Sequence, residues 1–237
     1  MTAIFKREFK AYFNTPLGYF VLAVMFFFGG WWFRDHNLYT QSADLRSVFE
    51  TLFTISMLVV IPILTMRLLA DDRRQKTDQA LLTAPVRLTG VVLGKFLVAL
   101  LVYAIAIGIT LVYALVISLK VSPDWSRVMA SYLGLLLLGG MMIALGLFIS
   151  ALTESQLIAA MVTFAFSFLL MQLNGATRND FLSKLPFVPN LLSYMNIQSR
   201  YVDFSMGLIS YSNIIFFLSM QGLFLFFAVR VLDSKRW

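Results

Sequence analysis

The run Asp71, Asp72, Arg73, Arg74, Gln75, Lys76, Thr77 and Asp78 is where this chain concentrates side chains able to do chemistry. It interleaves carboxylates with cations in a sequence of 237 residues of which only 13% are charged. Acids and bases this close neutralise one another, and no histidine or cysteine stands among them to act as base or nucleophile. The chemistry they suit is recognition. Charges would pair with a soluble partner on the cytoplasmic side, the apolar pair Leu81 and Leu82 would bury an edge, and Pro85 would stop the helix. A solvated connection between two membrane helices would carry the same charges, and composition does not separate the two readings.

Catalytic patterns are missing elsewhere. His36 is the single histidine; beside Arg34 and Asp35 in a loop, it reads as an interfacial polar residue rather than a general base. There is no His-Glu-x-x-His metal pair and no Gly-x-Ser-x-Gly elbow. With no cysteine, the chain has no disulfide, thiolate metal site or cysteine nucleophile. Gly90 to Lys95 echoes a phosphate-cradling loop, but the spacing between its glycines is one residue short and Phe96 stands where Ser or Thr is needed. The chain reads as a non-enzyme with no cofactor or metal site of its own.

The elements that must position the charged run are apolar. Hydrophobic residues make up 59% of the chain and mean hydropathy is +0.81, which leaves no polar face to wet. Six stretches are long enough to cross a hydrocarbon core of roughly 30 Å: Pro16 to Phe33, Phe49 to Met66, Phe96 to Leu119, Val128 to Ile149, Leu157 to Leu173, the shortest, and Tyr211 to Val229. The first is read as a retained helix rather than a signal peptide, because Phe26, Phe27, Phe28, Trp31, Trp32 and Phe33 are too bulky for a cleavage site. Pro62 predicts a kink in the second. Residues 1–237 form one transmembrane domain.

Of the 19 Lys and Arg residues, Arg34, Arg46, Lys120, Arg127, Arg178, Lys184 and Arg200 fall on one side and the larger remainder on the side of both termini. The positive-inside rule therefore places the N- and C-termini in the cytoplasm. The net charge of +7 reflects that topology, and no module for nucleic acid is legible. In residues 1–15, Ile4, Phe5, Phe9, Tyr12 and Phe13 share one side of a helical wheel and Lys6, Arg7 and Lys10 the other. This predicts an interfacial helix, with Glu8 out of place in the apolar arc and Thr15 and Pro16 as cap and first turn of the next helix. Residues 174–210 are expected to form short re-entrant helices or a small extracytoplasmic lid. Glu50, Arg67, Lys95, Glu154 and Arg230 are expected at span ends, and Gln172 and Gln221 to hydrogen-bond between helices. No midplane carboxylate or pair of related halves points to proton coupling.

The residue order in the charged segment carries a resemblance. The run TMRLLADDRRQKTDQALLTAPVRLTGVVLGKF, Thr65 to Phe96, resembles the loop between the second and third helices of ABC-2 type transporter permeases. Asp71 and Asp72 stand where that family has glutamates. Thr77, Leu81, Leu82, Thr83, Pro85, Val86, Gly94 and Lys95 match, and Lys76 stands where it usually has glycine. LLSYMNIQSRYVDFSMGLISYSNIIFFLSM, Leu191 to Met220, looks like the entry to the last helix of the gliding-motility-type branch, through Gly207, Leu208 and Ile209.

The resemblance implies an all-α integral membrane fold. Six transmembrane helices and an N-terminal amphipathic interfacial helix would make an ABC-2 (type V exporter-like) permease. It implies that Asp71 to Leu82, within residues 67–90, is the coupling helix that enters a groove on a separate ABC ATPase subunit, and that the helix bearing Phe5, Lys6, Arg7, Phe9 and Lys10 touches the same subunit. Two ATPase copies would bind the ATP and Mg, and a second permease, identical or related, would complete the assembly in the lipid of a bacterial inner membrane. The expected role is export of a hydrophobic, lipid-like or peptide cargo. ATP-driven force on an extracytoplasmic accessory protein and ion-coupled secondary transport are the alternatives.

Overall fold

In the computed structural model, residues 2–71, 88–176 and 196–234 are described, and every regular element among them is helical. Helix α1, Thr2–Asn14, has the two faces its sequence predicts. Phe5, Phe9 and Phe13, four residues apart, form a ladder with ring centroids 6.3 and 4.9 Å apart. They are half-buried against the core, whereas Lys6, Arg7 and Lys10 are exposed. Thr15 is extended and Pro16 opens helix α2, Pro16–Phe33, as expected. The Thr15 hydroxyl, however, does not cap α2; it turns back and donates to the Ala11 carbonyl at 2.8 Å. Carbonyls in the last turn of α1 compete for it and win, Ala11 O accepting from the Thr15 backbone N–H as well.

A π-turn, Arg34–Leu38, prolongs α2, and His36 stacks on Trp32 within it at 4.7 Å. The second long helix comes in three pieces: α3, Arg46–Ile55, a π-helical stretch, Ser56–Val60, and α4, Ile61–Thr65. The break lies next to Pro62, whose missing N–H and ring disturb the regular ladder. There follow α5, Leu88–Ile109, with its continuation α6, Leu111–Ser118; α7, Trp125–Leu152; α8, Gln156–Ala176; the short α9, Ile197–Ser205; and α10, Tyr211–Asp233.

Five of these helices are long and apolar enough to cross a membrane: Pro16–Leu38, Arg46–Thr65, Leu88–Ser118, Trp125–Leu152 and Tyr211–Asp233. The apolar helix Gln156–Gln172 is shorter and coincides with the run read as shortest from sequence. The third helix begins at Leu88 rather than Phe96, so Lys95 lies inside it at 2% exposure instead of at its end. A lysine within an apolar run reads as a boundary unless a counter-charge waits for it, and here one does.

Helix α7 is the spine. Within its most apolar stretch 83% of residues are buried by the rest of the chain, against 11% in α10, so α7 runs through the middle and α10 along the outside. Two of its glycines permit that. A Cβ on Gly139 would overlap the Tyr103 ring of α5, and one on Gly146 would overlap Thr65 of α4. Without a hydrophobic drive between helices in lipid, such close approach is what holds them together. The glycines at 139 and 140 thus pack within the chain, Gly140 against Gln221 of α10, while Gln172 is exposed.

At the spine's midpoint the Tyr103 hydroxyl donates to Ser56 Oγ at 3.0 Å and approaches the Leu135 carbonyl at 3.3 Å, and Ser56 in turn reaches Met25 Sδ. This chain of contacts ties α2, the π-stretch, α5 and α7. At the end remote from α1, the Tyr201 hydroxyl of α9 donates to the Phe49 carbonyl at 3.3 Å and its ring stacks on Phe53 at 4.7 Å. Phe204 fills the space opened by Gly134. Of residues 174–210, expected as short re-entrant helices or an extracytoplasmic lid, α9 is described and residues 177–195 lie outside the described ones.

Gly139→Ala is expected to destabilise the chain by about 1–3 kcal/mol through overpacking. Gly222→Ala, where nothing lies within 4 Å of the added Cβ, should leave stability unchanged or raise it slightly. The folded fraction remaining after heating in mild detergent measures both.

Candidate functional site

The end of the bundle that carries α1 holds Lys95, the one charged side chain among the buried residues described. Lys95 Nζ lies 3.3 Å from Glu8 Oε1, with side-chain exposures of 2% and 15%, and the guanidinium of Arg7 meets the same carboxylate oxygen at 2.7 Å. An ammonium taken this far from water needs its partner far more than it gains net energy from it. Glu8, out of place in the apolar arc of α1, is explained by Lys95. One turn on, the Tyr12 hydroxyl donates to the Leu64 carbonyl at 2.8 Å, satisfying an acceptor at the end of α4. Burial first, then the Glu8 carboxylate, pushes the Tyr12 phenol well above its ordinary range, against a smaller opposing pull from Arg67, so it remains a neutral donor.

The chain leaving α4 is held as firmly. Ser150 Oγ, in the last turn of α7, accepts from the backbone N–H groups of Leu69 and Ala70 at 3.1 and 3.0 Å. Asp71 Oδ1 accepts from Gln156 Nε2, in the first turn of α8, at 2.6 Å. A cavity of about 250 Å³ lies between these contacts, lined by Glu8, Tyr12, Arg67, Asp71 and Lys95 among others. Arg67 Nε is buried there without a hydrogen-bond partner among the described residues.

In its contacts this is a joint between helices. Among the described residues, none of its hydroxyls, on Tyr12, Thr15 and Ser150, is hydrogen-bonded to a side-chain base, and no group of His, Asp and Glu could hold a metal. What it does is fasten four parts of the chain, α1, the start of α5, the end of α7 and the start of α8, around the point where the second long helix runs into the charged segment.

Of the residues singled out from sequence, Asp71 is placed in this joint. Asp72, Arg73, Arg74, Gln75, Lys76, Thr77, Asp78, Leu81 and Leu82 lie outside the described residues. Phe5 and Phe9 pack against the core, and Lys6, Arg7 and Lys10 present the opposite face of α1. Sequence reasoning missed Glu8, Tyr12, Lys95, Ser150 and Gln156 as a set. One signal was available: an acid in an apolar arc and a base in an apolar run are complementary misfits.

Glu8→Gln is expected to cost about 3 kcal/mol, because it leaves the buried ammonium without its carboxylate. Lys95→Met should cost less, since Glu8 keeps Arg7, and the double variant should recover most of the loss. A double-mutant cycle on thermal stability in detergent reads the coupling; effects additive within about 0.5 kcal/mol would show that the two do not interact.

No curated protein matches the chain. The family model described as ABC-2 family transporter protein matches residues 3–231, nearly the whole of it. The match covers α1, the joint and all the long helices, and such a family member is a multi-pass membrane subunit that works with an ABC ATPase. The chain belongs to the ABC-2 transporter family.

Proposed function

We propose that this chain is the permease subunit of an ATP-driven ABC-2 transporter, with six membrane crossings and α1 along the inner surface. Both termini face the cytoplasm of a bacterial cell. Residues Asp71 to Leu82 enter a groove on an ABC ATPase, and the basic face of α1, Lys6, Arg7 and Lys10, lies beside them. Two ATPases, which bind the ATP and Mg, and a second permease complete the machine. ATP binding draws the ATPases together, and the joint passes that motion to the helices as a change of access for an exported, hydrophobic or lipid-like cargo.

The observation that carries this reading is the fastening of Asp71. The residue that opens the charged segment is tied by Gln156 to α8, and Leu69 and Ala70 just before it by Ser150 to α7. A push on the following residues therefore reaches the spine directly. The buried Lys95 is answered by Glu8 near one end of the bundle and does not mark a midplane proton path. The alternative of force delivered to an outer partner has one observation in its favour. Through Phe49 and Phe53, the second long helix also supports α9 at the far end.

A mild-detergent pull-down of the tagged chain is expected to recover an ABC ATPase, and reversing the charges of Arg73 and Arg74 to Glu should abolish that recovery. Unchanged recovery would sink the docking assignment. Ser150→Ala, which strands two buried N–H groups at a cost of about 1–3 kcal/mol, should leave the ATPase bound but lower the ATP turnover of the reconstituted complex toward that of the ATPase alone.

A further inference from the structure

A second polar cavity, of about 230 Å³, opens at the end remote from α1, where the chain enters α3 and α7. Its lining includes Asp44, Arg46, Phe49, Asp124, Arg127 and Ser131. The Ser131 side chain is its floor: six residues into α7, only 1% exposed, its hydroxyl without a hydrogen-bond partner among the described residues. A buried hydroxyl that the fold leaves unanswered is rare and asks for a ligand. Aromatic side chains at 38–74% exposure, Trp31, Trp32, Tyr39 and Trp125, stand at this same end, as rings do at the level of lipid head groups.

Among the described residues, two cations and two carboxylates line the cavity, and Glu50, outside the lining, pairs with one of the cations. Arg46 Nε lies 3.0 Å from Glu50, and Arg127 Nε 3.4 Å from Asp124 Oδ2. Asp44 Oδ1 and Asp124 Oδ1 accept from backbone N–H groups at the starts of α3 and α7. Two guanidiniums and two carboxylates line one small space, so an anion alone would leave the carboxylates opposed to it, and a cation alone the guanidiniums. A head group carrying both signs satisfies each. The positive end should be a primary ammonium, which can donate to Asp44 and Asp124. A quaternary ammonium cannot donate and prefers an aromatic cage, and among the described residues Phe49 is the one aromatic ring in the lining.

We infer that this cavity binds a phosphate-and-primary-amine head group of the phosphoethanolamine type, its phosphate held by Arg46, Arg127 and the Ser131 hydroxyl and its ammonium by Asp44 and Asp124. The volume admits a head group, with the acyl chains left along the exposed apolar surface of Leu119, Val121 and Met129 nearby in sequence. The inference does not rest on the permease reading, because binding needs neither ATP nor an ATPase.

Native mass spectrometry of the full chain in detergent, supplied in turn with phosphatidylethanolamine, phosphatidylcholine and phosphatidylglycerol of matched acyl chains, tests it. Retention of phosphatidylethanolamine about tenfold above the other two is expected, the loss of one hydrogen bond to a charged group being worth about that factor. Arg127→Gln and Ser131→Ala should each bring it down toward the phosphatidylcholine level. Ser131→Ala removes no internal hydrogen bond, so its lipid-free melting temperature should match the parent's and exclude unfolding as the cause. Competition by free O-phosphoethanolamine would assign the site to the head group whatever its source, and selectivity without such competition would assign it to the lipid. Equal retention of all three lipids, tighter binding of phosphatidylglycerol, or full retention by both variants would overturn the inference.

Discussion

An ammonium buried to 2% exposure in an apolar helix must be answered inside the protein, and Lys95 is answered by Glu8 from α1. That requirement fixes more than two residues. It holds α1 against the start of α5, which brings Tyr12 to the Leu64 carbonyl and so sets where the second long helix ends. From that end the chain reaches Ser150 and Gln156 within a few residues. Lys95 Nζ and the backbone N–H groups of Leu69 and Ala70 are buried polar groups, and a buried polar group left unpaired is costly, so each of these contacts favours the next. The joint is a sequence of such obligations, each taken up by a different helix.

The rest of the interior follows the opposite rule. Along α7 packing replaces polarity, and the small residues at 134, 139, 140 and 146 each admit a side chain from another helix. Tyr103 is where the two rules meet. Its ring occupies the space that Gly139 leaves, and its hydroxyl supports Ser56 in the irregular stretch of the second long helix. A substitution at Gly139 would therefore act on the π-stretch as well as on the spine.

How much of this the sequence carries depends on the range of the interaction. Apolar run length and the wheel of α1 are local properties; five of the six apolar runs fall on helices of spanning length, and the two faces of α1 and the restart at Pro16 appear where the sequence places them. The start of the third helix does not, because run-length reasoning treats Lys95 as solvated, and its counter-charge comes from a residue 87 positions earlier. Tyr12 with Leu64 and Ser150 with Leu69 are likewise far apart in the chain, and nothing in either neighbourhood announces the other. Ser131 is the extreme case. A serine in a helix is unremarkable in sequence, and only the packed structure reveals that its hydroxyl has been left unanswered.

The second long helix is in contact with both ends of the molecule. Its lower piece, α4, rests on Gly146 of the spine and receives Tyr12, while its upper piece, α3, carries Phe49 and Phe53 against α9. Between them the π-helical stretch is joined to α5 by the Tyr103 hydroxyl and reaches α2 through Met25. A helix interrupted in this way and left unsupported would absorb a displacement at its kink. Held at the interruption by its neighbours, it would instead pivot there under the proposed coupling, and a shift of α4 at the joint would be returned as a shift of α3 beneath α9. Both proposed outcomes, a change of access between helices and a force on the far side, would use the same lever and differ only in what α9 meets.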